Sequence, residues 1–189
     1  MRTSTLAASV LSIAVLAGCS DGDDGDGDDG PGAAADDADF LGDLGEPATI
    51  QFRLVTASAA QPSPRLDAVD CDAPAPTAAD APASGCDPSG RAYLLDAAAF
   101  ETPAASAEAS TEPGTGDVVV LVTLPDPAAE DLEVLSTQYA GGDQQVAIFV
   151  AGRVVSAPVF ASTIDDGALQ ISGGDLTPEV AEGVVAALT

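Results

Sequence analysis

Side-chain chemistry in proteins most often starts from histidine, cysteine or a matched pair of carboxylates, and this sequence supplies the three very unevenly. Its 189 residues include no histidine, three cysteines (Cys19, Cys71 and Cys86), and 31 acids against five basic residues, all arginine. Without histidine the usual general base and the commonest metal ligand are missing. A Ser-His-Asp or Cys-His nucleophile system cannot be built from this chain alone. Carboxylate pairs are so abundant that no single pair is informative. A carboxylate-based hydrolase acting on envelope polymers is therefore the enzymatic alternative. No nucleophile motif, glycine-rich phosphate loop or metal cluster supports it. The sequence points to a non-enzyme, with no catalytic residue, no metal ligand and no cofactor assigned.

The cysteines sort by context. Residues 1–18 read as a signal peptide: Arg2 is the positive start, and Leu6 to Leu16 is an apolar run too short to span a bilayer as a mature helix. The run ends in Leu16-Ala17-Gly18-Cys19, which resembles a bacterial lipobox. Cys19 would then be the lipidated first residue of the mature protein. Two or three acyl chains, at about 0.8 kcal/mol per buried methylene, would hold it in the cytoplasmic membrane. The expected location is the extracytoplasmic face. Cys71 and Cys86 stand 15 residues apart. In an exported protein such a pair most simply forms a disulfide, worth about 3 kcal/mol by chain entropy. A redox or metal-binding thiol pair is the competing reading, against which stand the absence of CxxC and of histidine.

Charge bounds the partners. The net charge of -26 argues against nucleic acid, whose binding relies on basic residues neutralising phosphates. It equally argues against charge-driven adhesion to anionic lipid. The densest acidity falls in Ser20 to Asp39, an Asp/Gly run that cannot bury apolar surface. Residues 19–46 are expected to form a disordered tether. The run does not fit an EF-hand: counted from Asp24, the required glycine and final acid fall on Asp29 and Ala35.

The remaining residues, 47–189, must make the domain. Thr49 to Val55 alternates as a half-buried strand, with Ile50, Phe52 and Leu54 on one face. Residues 57–90 are rich in proline, alanine and aspartate and read as a long surface excursion holding both Cys71 and Cys86. Arg91 to Leu95 is a second strand, and Asp96 to Gly116 a connection. Asp117 to Leu124, apolar at nearly every position, belongs in a sheet centre. A helix follows, with Asp126 as N-cap, Pro127 at its first position, and Ala128, Leu132, Leu135 and Tyr139 on one face. Gly141 is its left-handed stop. Gln145–Val150 and Arg153–Ala157 form a hairpin about Ala151-Gly152. A short strand, Ala168–Ser172, precedes a helix capped by Thr177, with Pro178 first and Val180, Ala181, Val184, Val185 and Leu188 along its apolar stripe. The sum is an α+β fold: a mainly antiparallel sheet of about five strands with two helices on one face.

The stretch from Val118 to Leu188 resembles the head of the first extracytoplasmic domain of SecD. The resemblance rests on VAIFVAGRVVSAP, Ile164 with Asp166-Gly167, LQISGG, and Leu176-Thr177-Pro178-Glu179 opening the last helix. The segment CDPSGRAYLL, from Cys86 to Leu95, is also similar to the approach to the head in actinobacterial members. Two departures stand out. Ala151 replaces the family's usual aspartate, so a type I turn with only Gly152 left-handed is expected. Leu176 replaces an aromatic. A full SecD also carries membrane helices, and nothing after the signal run reads as one. The resemblance implies a non-enzymatic protein-binding or export-accessory module whose partners are exported polypeptides or Sec and envelope proteins. Arg153, Ser156, Pro158 and Phe160 are the expected contact residues. A structural or signalling lipoprotein using the fold only as a scaffold is the alternative.

Overall fold

The computed structural model describes residues 40–42, 44–173 and 176–189. The expected signal peptide, Cys19 and most of the expected tether lie outside them. The elements run β1 (Ile50–Ala57), β2 (Ala83–Cys86), β3 (Ala92–Thr102), β4 (Ser106–Thr111), β5 (Val118–Thr123), α1 (Asp126–Tyr139), β6 (Val146–Val150), β7 (Arg153–Ser156), β8 (Ala168–Ser172) and α2 (Pro178–Leu188). A single 3-10 turn, Leu66–Ala68, interrupts the excursion. The described residues form an α+β fold with a five-stranded sheet in the order β2-β3-β1-β6-β7 and a three-stranded sheet in the order β4-β5-β8. Every pairing is antiparallel.

Alternation along β6 shows how the layers divide. Val146, Ile148 and Val150 point into the larger core, with Ile50 and Phe52 of β1, Val120 and Val122 of β5, Leu132 of α1, and Val180 and Val184 of α2. Ala147 and Phe149 point the other way, into a smaller core with Val55, Tyr93, Leu95 and Val154. Both helices thus serve the same face of the five-stranded sheet, and the excursion covers the opposite face. This changes the reading of β1. Two of its polar positions do not face water: Gln51 and Arg53 are buried, Arg53 to 0 % exposure, and only Thr56 is exposed.

The expected connection at 96–116 contains half of β3 and all of β4. Alanine-rich strands carry little β propensity, so Asp96 to Thr102 shows no signal of its own. Pairing with β1 extends it, with a register shift between Phe52 and Arg53. In β4, small residues alternate: Ala107 and Ala109 pack on the larger core, while Ser106, Glu108 and Ser110 face outward. β5 is the centre of its sheet as expected, although Leu121 on its outer face is 44 % exposed.

The helix ends follow their chemistry with one correction. Thr177 caps α2 by accepting from the Val180 amide at 3.3 Å, and Pro178 is the first helical residue. Gly141 ends α1 at φ +69°. Asp126, however, is already inside α1, and Pro125 occupies the cap position without a side-chain cap. The Pro125 carbonyl opens the ladder, accepting from Ala128 and Ala129 at 2.9 and 3.0 Å. Pro127, having no amide to donate, fits equally at the second helical position.

The β6–β7 turn also departs from expectation. Ala151 has φ +50° as well as Gly152 at +83°, so both central residues are left-handed. A two-residue loop between twisted strands needs that sign pattern, and the strand pairing imposes it on alanine.

Candidate binding face at the end of the hairpin

β7 stops because Pro158 has no amide to continue the ladder, yet the chain stays beside β6. The Gln145 side-chain amide donates to the Ala157 carbonyl at 2.9 Å. The Val146 amide donates to the Pro158 carbonyl and the Gly141 amide to the Phe160 carbonyl, each at 2.9 Å. Gln145 bridges Val159, and its side-chain oxygen accepts from the Ser58 hydroxyl at 3.0 Å. The sequence reading missed this glutamine. Its only signal was a polar residue at the mouth of an otherwise apolar strand.

The fixed segment from Ala157 to Phe160 divides two grooves. One, of about 350 Å³, is polar, with Asp87, Arg91, Tyr93, Ser156 and Pro158 among its walls. The other, of about 270 Å³, is apolar, with Leu132, Ile148, Val159, Phe160 and Ile164 lining it, and Pro158 shared between the two. Val159 is 48 % exposed on the apolar side, whereas Phe160 is 9 % exposed and belongs to the core. A hydrogen bond between the Thr137 and Thr163 hydroxyls, 3.1 Å, ties α1 to the outer wall. The Ser136 hydroxyl accepts from the Ile164 amide at 2.9 Å.

The structure therefore brings Ser156, Pro158 and Phe160 together and takes Arg153 elsewhere. The Arg153 guanidinium donates to the carbonyls of Cys71 and Asp72 and lies 5.6 Å from the Phe40 ring centre. Its partners belong to the excursion and the entry segment, not to the grooves.

In the polar groove, Asp87 looks like a candidate acid by type and burial. Its oxygens are already engaged: Oδ1 accepts from the Ser89 amide and hydroxyl and the Arg91 amide, and Oδ2 from Arg91 Nε at 2.8 Å and the Tyr93 hydroxyl at 2.9 Å. Such a carboxylate organises the Pro88-Ser89-Gly90 turn. Among the described residues, no three cysteine or acidic side chains converge as a metal site would require.

The excursion is fastened by more than its covalent link. The Cys71 and Cys86 sulfurs are joined in a disulfide, with Cα atoms 5.4 Å apart. Arg53 reaches from the sheet centre into the excursion. It donates to the carbonyls of Ala78 (2.7 Å) and Ala81 (2.8 Å), and to Asp96 of β3 (2.9 Å). Its Nε donates to Gln51 Oε1 at 2.9 Å, and its charge sits 5.2 Å from the Phe149 ring centre. Gln51 in turn donates to the Thr77 carbonyl and to Glu101. Burial pushes the Arg53 pKa below its ordinary value, with Glu101 opposing the shift. Guanidinium remains charged even so, because its starting value is so high. The fork of donors replaces the water it lost.

Comparison with known proteins agrees with this architecture. The sequence profile of the SecDF P1 head subdomain matches residues 82–189. The chain belongs to the SecDF P1 head subdomain family. Its fold is similar to a solved structure of SecDF, a membrane component that enhances protein export, at 21 % identity and a TM-score of 0.50, covering 76 % of this chain and 63 % of that one. Crystal structures of SecDF in a super-membrane-facing form (19 % identity, TM-score 0.47) and of SecDF, a translocon-associated membrane protein from Thermus thermophilus (21 %, 0.46), are also similar. The chain covers 18 % and 19 % of their lengths, and they cover 75 % and 76 % of it. No curated protein matches. Among the described residues, no helix is long and apolar enough to cross a membrane.

Proposed function

We propose that this protein is a membrane-anchored, non-enzymatic accessory to protein export that holds exported polypeptides at the extracytoplasmic face. In this reading residues 1–18 are removed, Cys19 carries the acyl anchor, and residues 19–46 form the tether. The head then offers its apolar groove to extended segments. Family membership supports the export setting. The single observation that carries the binding role is the groove itself: Val159 exposed on its lip, above a floor of Ile148 and Phe160, on a segment pinned by Gln145. An unfolded polypeptide exposes apolar side chains, and a preformed groove on rigid strands holds them at low ordering cost.

Removal of signal peptides from pulse-labelled exported proteins tests this. Loss of the protein is expected to slow processing, with rescue by the wild type and not by Val159→Glu. Equal processing in all strains would leave the head as a scaffold for envelope structure or signalling. Cys19→Ala is expected to release the protein from membranes on fractionation, and retention of that variant would contradict the lipid anchor.

A further inference from the structure

The margin of the apolar groove carries one sign of charge. Asp165 and Asp166, both exposed, lie between its wall residues Ile164 and Ala168. Exposed acids also lie on α1, where Glu130 and Glu133 line a separate shallow depression with Val134 and Thr137. No arginine lines the groove. Of the arginines among the described residues, Arg53 is sealed under the excursion, Arg91 pairs with Asp87, and Arg153 is held by excursion carbonyls. Arg65 sits in the excursion, and the chain has no lysine.

From this juxtaposition we infer that the groove selects extended segments whose apolar side chains are flanked by lysine or arginine. The inference rests on the binding role proposed above and specifies its substrate. The groove, at about 270 Å³, falls below the roughly 300–1,000 Å³ of pockets that enclose whole small ligands. It suits a few side chains of a passing chain. A second copy of this protein is a poor occupant, because two molecules of net charge -26 repel. Basic flanks meet a complementary potential, and acidic flanks a repulsive one.

Two peptides test the inference, sharing one apolar core with a single tryptophan and flanked by either lysines or aspartates. The protein has no tryptophan, so emission reports the peptide alone. At 0.1 M salt the lysine-flanked peptide is expected to bind about tenfold tighter. At 1 M salt, where screening shortens to about 3 Å, the ratio is expected to fall to about twofold. Asp165→Asn with Asp166→Asn is expected to lower the ratio at low salt. Val159→Glu is expected to weaken both peptides. Equal, salt-insensitive binding of the two peptides that Val159→Glu weakens would overturn the charge selection and leave the groove's binding role standing. Binding that Val159→Glu does not weaken would place the site elsewhere, and absence of binding by either peptide would overturn both readings.

Discussion

Arg53 is the residue that most changes how the molecule is understood. In the sequence it is one polar position of an alternating strand, and alternation placed it toward water. The structure buries it completely and surrounds it with loop carbonyls. Only the long-range arrangement of residues 77–81 over the sheet makes that burial possible, so periodicity in β1 could not reveal it. Removing the guanidinium would strand the carbonyls of Ala78, Ala81 and Asp96 and the oxygen of Gln51. At about 1–3 kcal/mol for an unsatisfied buried group, with partial relief by water, Arg53→Met is expected to cost about 3–5 kcal/mol in urea unfolding. Arg53→Lys is expected to recover little of this, because an ammonium cannot reproduce the fork. A loss below about 1 kcal/mol for the Met variant would contradict the pinning role. At the hairpin turn, Gly152 and Ala151 should respond in opposite ways. A Cβ on Gly152 would meet the Ala75 oxygen at 2.4 Å, so Gly152→Ala is expected to destabilise. Ala151, at φ +50°, carries a left-handed cost that Ala151→Gly relieves, for an expected gain of about 0.5–1 kcal/mol.

At the scale of elements, the helices and the hairpin were legible because their signals are local. Thr177-Pro178 before an apolar stripe, Gly141 after one, and two apolar runs about Ala151-Gly152 each specify a start, a stop or a turn without outside help. The elements that were missed lack large side chains. β4 alternates only alanine with serine, glutamate and threonine, and the second half of β3 is alanine-rich. Both depend on partners for their definition. Residues 57–90 also contain β2 (Ala83–Cys86), whose Ala-Ser-Gly-Cys carries no strand signal of its own and which pairs with β3 at the edge of the larger sheet. The excursion is not held by the disulfide alone. It is also fastened by Arg53, by Gln51 to Thr77, by the Ala75 amide to the Gly152 carbonyl at 2.9 Å, and by Ala98 of β3 to the Ala79 carbonyl at 2.8 Å. The double variant Cys71→Ser, Cys86→Ser is therefore expected to lose about 3 kcal/mol of global stability while the amides of Ala75 and Ala98, bonded to the carbonyls of Gly152 and Ala79, keep their protection. Hydrogen exchange resolves the two. Loss of protection at Ala75 and Ala98 in the folded variant would show that the covalent link alone orders the excursion.

For the whole molecule, the family was legible because the hairpin and the last helix preserve order and spacing from Val118 to Leu188. The profile match reaches further upstream, to residue 82, and so takes in β2, β3 and β4. β1 lies outside that match and yet pairs with both β3 and β6, near the middle of the larger sheet. The grooves were legible in part: Pro158 and Phe160 fall in the segment that divides them, and Ser156 lines the polar one. Arg153, three residues before Ser156, is drawn off by excursion carbonyls that no local pattern announces. Phe160 sits too deep to touch a partner first, and Val159 takes that position. The most direct test of the proposed role is photo-crosslinking in intact cells from a probe at Val159, with a second probe at Val134, which is 68 % exposed on α1, as the comparison. Pulse-labelled exported polypeptides are expected to crosslink to the Val159 probe, to be lost from it during the chase as export completes, and to crosslink far less to Val134. Equal adducts at the two positions, or none at Val159 while export proceeds, would contradict a polypeptide-holding groove.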